Sequence, residues 1–390
     1  MGSLRYRARI MDSNDIPPIG STPPPPFNPP PVIISAVPTR PRKSRGWMIV
    51  AIVLLVLLVL SLFVNFSQLV SGLVPMKVAR MSGSSSGPRL DETILEDNDS
   101  ANKIAVVDVE GIITSRAMDQ GGLTMVDLIK EQLKRAQEDD RVKAVLLRVD
   151  SPGGEVLASD EIYRLLVKFQ EDSRKPVVTS MGNLAASGGY YISSASRWIV
   201  ANELTITGSI GVILHSYNYR GLMNKVGIAP ETYKSGKFKD MLSPERNPDE
   251  ILPEEREMLQ SLINETYGRF KDVVADGRDA AHKLNKSEGK ALAEDWKDYA
   301  DGRILTGKRA EELGFVDQVG DFDVAVKRAR LLAHNIKNAN LIQYKVRYDL
   351  SDFLRMFGKT ETPVIKVDMG VEGPKLQAGQ LYFLSPTFLH

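Results

Sequence analysis

Met181-Gly-Asn-Leu-Ala-Ala-Ser-Gly-Gly-Tyr-Tyr-Ile192 decides how this chain is read. The apolar run Pro176-Val-Val-Thr-Ser-Met181 before it has the composition of a buried strand, and a helix is expected to begin at Ser187. Ala185, Ala186, Gly188 and Gly189 surround that serine with small side chains, so another backbone can approach its hydroxyl closely. Free amides at a helix start favour negative charge beside it. These features suit a nucleophile. They equally suit a serine that caps an ordinary helix.

Upstream, Ile104–Val109 and Ala144–Val149 read as buried strands, Met125–Glu138 as a helix with Val126, Ile129 and Leu133 on one face, and Ser159–Phe169 as a second helix. Downstream, short strands are expected at Trp198–Ala201 and Ile210–Leu214. The alternation of strand and helix predicts an α/β fold with mostly parallel strands.

Composition removes several kinds of chemistry. The 390 residues contain no cysteine, which excludes disulfides and thiolate chemistry. His215, His282, His334 and His390 are scattered without metal-ligand spacing. A net charge of +1 gives no electrostatic case for nucleic acid, and no cofactor is implied. Hydroxyl, carboxylate and lysine side chains remain to carry any hydrolysis.

The N-terminal region is organised differently. Residues 1–45, with prolines at 23–26 and 29–31, read as a disordered cytoplasmic tail. Residues 46–66 include the apolar run Trp47–Phe66, matching the roughly 20 residues that cross a bilayer as a helix. Arg40, Arg42, Lys43 and Arg45 precede this run and place the N-terminus in the cytoplasm, with everything after the span outside it. A cleaved signal peptide is the competing reading. Residues 67–101 are expected to be a flexible linker, 102–335 a folded domain, and 336–390 a C-terminal extension of unknown role.

Two further segments bear on chemistry. Asp150-Ser-Pro-Gly-Gly154 follows a strand at the sheet edge where sites collect, and its glycines can present amide donors to an oxyanion, although a plain turn has the same composition. Tyr233-Lys-Ser-Gly-Lys-Phe-Lys-Asp-Met241 offers three lysines. Lysine serves as a general base where burial lowers its pKa, whereas a solvated basic loop is the bland account.

In this order and spacing, Ser-Pro-Gly-Gly, Ala-Ala-Ser-Gly-Gly-Tyr-Tyr and Ser-Gly-x-x-Lys-Asp resemble the signal peptide peptidase A family of membrane-anchored Ser–Lys proteases. Thr207-Gly-Ser-Ile-Gly-Val212 and the stretch from Asp301 to Asp317 extend the resemblance over about residues 102–335. It implies Ser187 as nucleophile, Lys239 as general base, Ser209 as the serine that orients the lysine, and the amides of Gly154 and Gly188 as the oxyanion hole. It also implies a fold like Clp protease and crotonase, hydrophobic peptide substrates such as released signal peptides, and a ring in which serine and lysine come from neighbouring subunits. Each motif occurs once, so a single-copy chain must self-associate to assemble its dyad.

Three alternatives remain open: a crotonase-like acyl-CoA enzyme, a Ser–His–Asp hydrolase recruiting His215, and a non-catalytic membrane scaffold. The apolar segment Leu381–Leu389 is expected to dock, either on an ordinary surface patch or as an added strand in the substrate groove.

Overall fold

In the computed structural model, the described residues are 50–61, 88–119, 122–347 and 381–384. The chain divides into two compact units, Met1–Gly83 and Ser84–His390. In the first unit the described part is helix α1, residues 50–61, whose side chains are all exposed. Among the described residues no helix is long and apolar enough to cross a membrane. The expected N-terminal tail and most of the expected linker lie outside the described residues.

The second unit begins with β1 (Leu90–Glu96) and β2 (Lys103–Glu110), followed by α2 (Met125–Glu138) and β3 (Val142–Ser151). The short β4 (Gly153–Glu155) leads into α3 (Val156–Ser173), then β5 (Val177–Ala186), α4 (Gly188–Ser193) and β6 (Trp198–Ala201). After β7 (Ile206–Gly208) and β8 (Ile213–Leu214) come α5 (Arg220–Lys225) and the long α6 (Pro253–Leu284). The chain closes with β9 (Ile304–Thr306), α7 (Gly307–Glu312), β10 (Gln318–Val319), α8 (Phe322–Leu332), β11 (Asn340–Val346) and β12 (Leu381–Leu384).

The main sheet has the order β1-β11-β2-β3-β5-β6-β10. From β11 to β10 every neighbouring pair is parallel, while β1 adds an antiparallel edge to β11. Side chains alternate between two cores: Ala105, Val107, Val145, Leu147 and Ile199 face the layer of α2, α3 and α6, while Ile104, Val106, Leu146 and Val200 face α8. Burial on both faces explains why these strands read as continuous apolar runs.

Helix α2 occupies the residues expected of it and is capped by Thr124, whose hydroxyl accepts the Asp127 amide at 3.1 Å and donates to the Asp127 carboxylate at 2.7 Å. The folded domain extends beyond both expected limits. Residues 90–96, assigned to the linker, pair as β1 with β11, which itself lies past residue 335. All but Leu90 of β1 are exposed, so little apolar pattern marks it, and its partner lies at the far end of the chain. Of the strand expected at Ile210–Leu214 only its end forms, as β8 (Ile213–Leu214), while β7 stops before it at Gly208 and the positive-φ residue Ser209 follows.

Strand β5 changes neighbour along its length. Val178–Met181 pair with β6 and Leu184–Ala186 with β7. The Asp150 carboxylate accepts the Leu184 amide at 3.1 Å where the change occurs. Both β3 and β5 therefore deliver their C-terminal ends, Ser151 and Ala186, to one edge of the sheet.

Candidate active site

Ser187 stands between β5 and α4 with φ 55° and ψ −117°, a conformation unfavourable for any residue with a Cβ. Two hydrogen bonds hold it there. Its amide donates to the Gly208 carbonyl at 2.8 Å, and its carbonyl accepts the Tyr191 amide at 2.8 Å. Although Ser187 occupies the N-cap position, its side chain makes no cap hydrogen bond. The hydroxyl is buried and has no hydrogen-bond partner among the described residues, which is a costly state for a structural serine.

Opposite it lies the bend before β4. Ser151 shapes this bend: its hydroxyl donates to the Gly111 carbonyl at 2.6 Å and accepts the Gly153 amide at 3.1 Å. Gly153 has φ +99°, and a Cβ on it would collide with the Phe383 carbonyl oxygen and come within 2.5 Å of the Gly188 amide nitrogen. A Cβ on Gly188 would in turn lie 2.7 Å from the Ser159 hydroxyl and 3.1 Å from the Gly154 amide nitrogen. The two glycine pairs thus pack backbone against backbone, with the amides of Gly154 and Gly188 in one small region beside Ser187. That arrangement can stabilise developing negative charge on an oxygen placed between them.

Glu155 anchors the other side of β4. Its carboxylate accepts the Thr114 hydroxyl at 2.8 Å, the Ser115 amide at 2.9 Å and the Ser115 hydroxyl at 2.5 Å. Burial alone would raise its pKa, but the hydrogen bonds from Ser115 and Thr114 outweigh burial and hold the carboxyl below its ordinary value. No sequence motif marked this residue, because its partners lie about forty positions away in a loop without pattern.

Ser209 is buried with φ 51°, and its amide donates to the Arg303 carbonyl at 2.7 Å. It directly follows β7, the strand that holds Ser187, so the two serines share one backbone support. Lys239 sits elsewhere, exposed on the loop after α5. Within that loop Lys234 pairs with Asp240 at 2.8 Å and Lys237 with Glu254 at 3.0 Å, whereas Lys239 makes no ion pair among the described residues. The lysine singled out by resemblance is the one left uncommitted. A single chain does not bring it to the Ser187 hydroxyl. His215 is half-exposed and likewise does not partner Ser187.

The model of peptidase family S49 matches residues 169–336, which run from the end of α3 past α8 and include Ser187, Ser209 and Lys239. A protein of Enterococcus faecium named as a candidate signal peptide peptidase SppA is 40% identical over 261 residues, covering 66% of this chain and 71% of that protein. The chain belongs to the signal peptide peptidase A family, peptidase family S49. A protein of Synechocystis named as a candidate protease is 43% identical over 231 residues, covering 59% of this chain and 74% of its own length. The chloroplastic serine protease SPPA of Arabidopsis thaliana is 35% identical over 257 residues, covering 65% of this chain and 35% of its own length. By family, then, this is a serine peptidase with a mixed α/β fold built on a largely parallel sheet.

Proposed function

We propose that the chain is a membrane-anchored serine endopeptidase that cleaves hydrophobic peptides, such as released signal peptides, with Ser187 as nucleophile and Lys239 of another copy as general base. The observation that carries this reading is Ser187 itself: its hydroxyl is buried, unpaired among the described residues, and held at a strained backbone beside two glycine amides. A structural serine would be expected to use its hydroxyl.

In this mechanism the Lys239 amine takes the Ser187 proton as the hydroxyl oxygen bonds to the substrate carbonyl carbon. The amides of Gly154 and Gly188 receive the oxyanion, with each such donor contributing on the order of 3 kcal/mol to lowering the barrier. Collapse breaks the peptide bond, the lysine returns its proton to the leaving amine, and water activated by the same lysine releases the acyl group from Ser187. Ser209 orients the amine.

Self-association supplies the missing lysine. Helix α5 has no buried residue, and Tyr217, Leu222 and Tyr233 near it are 74%, 63% and 92% exposed. So short a helix without tertiary packing is not stable alone, and so much exposed apolar surface calls for a partner. A second copy in a ring meets both demands and brings an exposed Lys239 toward the Ser187 of its neighbour. The sheet order is compatible with a Clp protease or crotonase-like fold.

The membrane anchor rests on the composition of residues 47–66, of which 50–61 form α1. It places the peptidase domain on the extracytoplasmic face. An acyl-CoA enzyme would have no use for the uncommitted lysine, and a scaffold none for the strained serine. The test is covalent labelling of the full chain by a serine-directed phosphonate. Labelling confined to Ser187 and lost in Ser187→Ala supports the reading, whereas absence of labelling in the assembled wild type refutes it.

A further inference from the structure

Lys239 is carried by a stretch with almost no apolar packing. Among the described residues from Gly211 to Glu254 a single one is buried, and it is Arg246. A buried cation is costly unless acceptors surround it. Nη1 of Arg246 donates to the two Glu255 carboxylate oxygens at 2.9 and 3.1 Å, and Nη2 donates to the Glu250 carbonyl. Nε lies 3.4 Å from the Asp240 carboxylate. In this stretch a guanidinium stands where an apolar core would hold an ordinary loop.

Two of its partners define what the cluster holds. Asp240 directly follows Lys239 in a tightly turned backbone, where the Lys239 amide donates to the Gly236 carbonyl at 3.2 Å and the Ser243 amide to the Asp240 carbonyl at 3.0 Å. Leu242 takes a positive φ of 67° between Asp240 and Arg246, a backbone state that costs a leucine energy unless its surroundings impose it. The same Asp240 carboxylate accepts Lys234 at 2.8 Å. Glu255 stands in the first turn of α6 and is the only buried residue of that helix before Phe270. Beyond it, Phe270, Val273 and Val274 root α6 in the domain core. Arg246 thus joins the neighbour of Lys239 to a helix anchored in the core.

A lysine side chain is long and flexible, so its amine is placed no better than the backbone that carries it. Displacing a reacting group by about 1 Å can cost about 100-fold in rate. A base that must reach the serine of another copy is not held by the domain of that serine. The copy that donates it has to supply the support.

We propose that Arg246 is a positioning residue for the base: by clamping Asp240 to Glu255 it fixes the Lys239 backbone on α6 and sets where the amine meets the Ser187 of a neighbouring copy. This rests on the reading of a dyad shared between copies and adds to it the device that holds the lysine. The role needs the planar fork of arginine, because lysine in its place keeps the charge but cannot reach the same set of acceptors.

The test uses the full chain. In Arg246→Lys, the mass of the assembly and KM for a reporter peptide should be unchanged, while kcat falls at least about tenfold. Mixing then locates the defect. Ser187→Ala retains a well-held Lys239, so subunit exchange with Arg246→Lys should raise activity severalfold over the unexchanged mixture. Exchange with Lys239→Ala brings no well-held lysine and should raise nothing. Asp240→Asn, which loosens the other end of the clamp and leaves the Arg246–Glu255 pair, should follow the same pattern. Wild-type kcat in both variants, rescue by Lys239→Ala in place of Ser187→Ala, or loss of assembly in both variants would overturn the proposal. The reading beneath it fails differently. A wild type that neither cleaves the reporter nor takes the phosphonate refutes the peptidase, and inactivity of exchanged Ser187→Ala and Lys239→Ala refutes the shared dyad.

Discussion

The amide of Ser187 donates to the carbonyl of Gly208 at 2.8 Å, and this bond ties the candidate nucleophile to the turn that carries Ser209. Both serines have left-handed φ, 55° and 51°, a region costly for residues other than glycine. Strain at two such residues, joined through one hydrogen bond, marks a site whose geometry is imposed by the surrounding sheet.

Ser187→Ala should abolish peptidase activity without lowering stability, because the hydroxyl it removes has no partner among the described residues. Ser187→Gly, which relieves the positive φ, should raise stability by about 1 kcal/mol. Chemical denaturation of both variants checks this. A clear loss of stability in Ser187→Ala would show that the hydroxyl has a structural bond.

Gly188→Ala should impair catalysis, since its Cβ would fall 2.7 Å from the Ser159 hydroxyl and press the two glycine pairs apart. Losing the geometry of one oxyanion donor should reduce kcat by about 100-fold or more. Adding Ser159→Ala removes the nearer obstacle and should restore part of that loss. Steady-state kinetics of the single and double variants are the check, and no recovery in the double variant would mean that the crowding is not the cause.

Arg278 of α6 and Asp317, both with buried side chains, form an ion pair, and the Asp317 carboxylate also accepts the Ile199 amide at 2.8 Å and the Lys290 amide at 3.2 Å. Arg278→Ala leaves that carboxylate buried without its cation and should destabilise the domain by about 3–5 kcal/mol. Asp317 closes a stretch that the sequence offered as a mark of kinship. Its contacts make it a structural anchor for β6. Urea unfolding of Arg278→Ala measures the cost.

Asp139 gives a pH dependence. Burial would raise its carboxyl, but hydrogen bonds from Arg141 and Lys103 outweigh that and hold it at about 2, below its ordinary value of 3.8. A carboxyl depressed on folding binds fewer protons in the native state, so its stabilising contribution is complete above the unfolded value and fades as pH falls from about 4 to about 2. In Asp139→Asn that part of the acid loss should vanish, leaving a shallower decline in Tm over the same window.

The sequence made the central strands and α2 legible because burial on both faces gives apolar runs such as Ile104–Val107 in β2 and Ala144–Leu147 in β3, and Thr124 marks where α2 starts. Strand β1 escaped notice since Asp91, Glu92 and Glu96 read as linker, and only the distant β11 turns them into an edge. In the site, Ser187, Gly154 and Gly188 were legible as small residues flanking one hydroxyl. Tyr191 was visible, but the aromatic cluster it forms with Phe270 and Phe383 was not, because both lie far along the chain. Lys239 could be chosen among its neighbours only by resemblance, and the ion pairs of Lys234 and Lys237 now add a physical reason.

The dyad between copies is tested most directly by mixing two inactive variants, Ser187→Ala and Lys239→Ala, under conditions where subunits exchange. Some contacts in the mixed assembly would then place an intact Ser187 against an intact Lys239. The account predicts that peptidase activity returns on mixing, while each variant alone stays inactive. Mixed assemblies as inactive as their parents, with exchange demonstrated by mass, would contradict it.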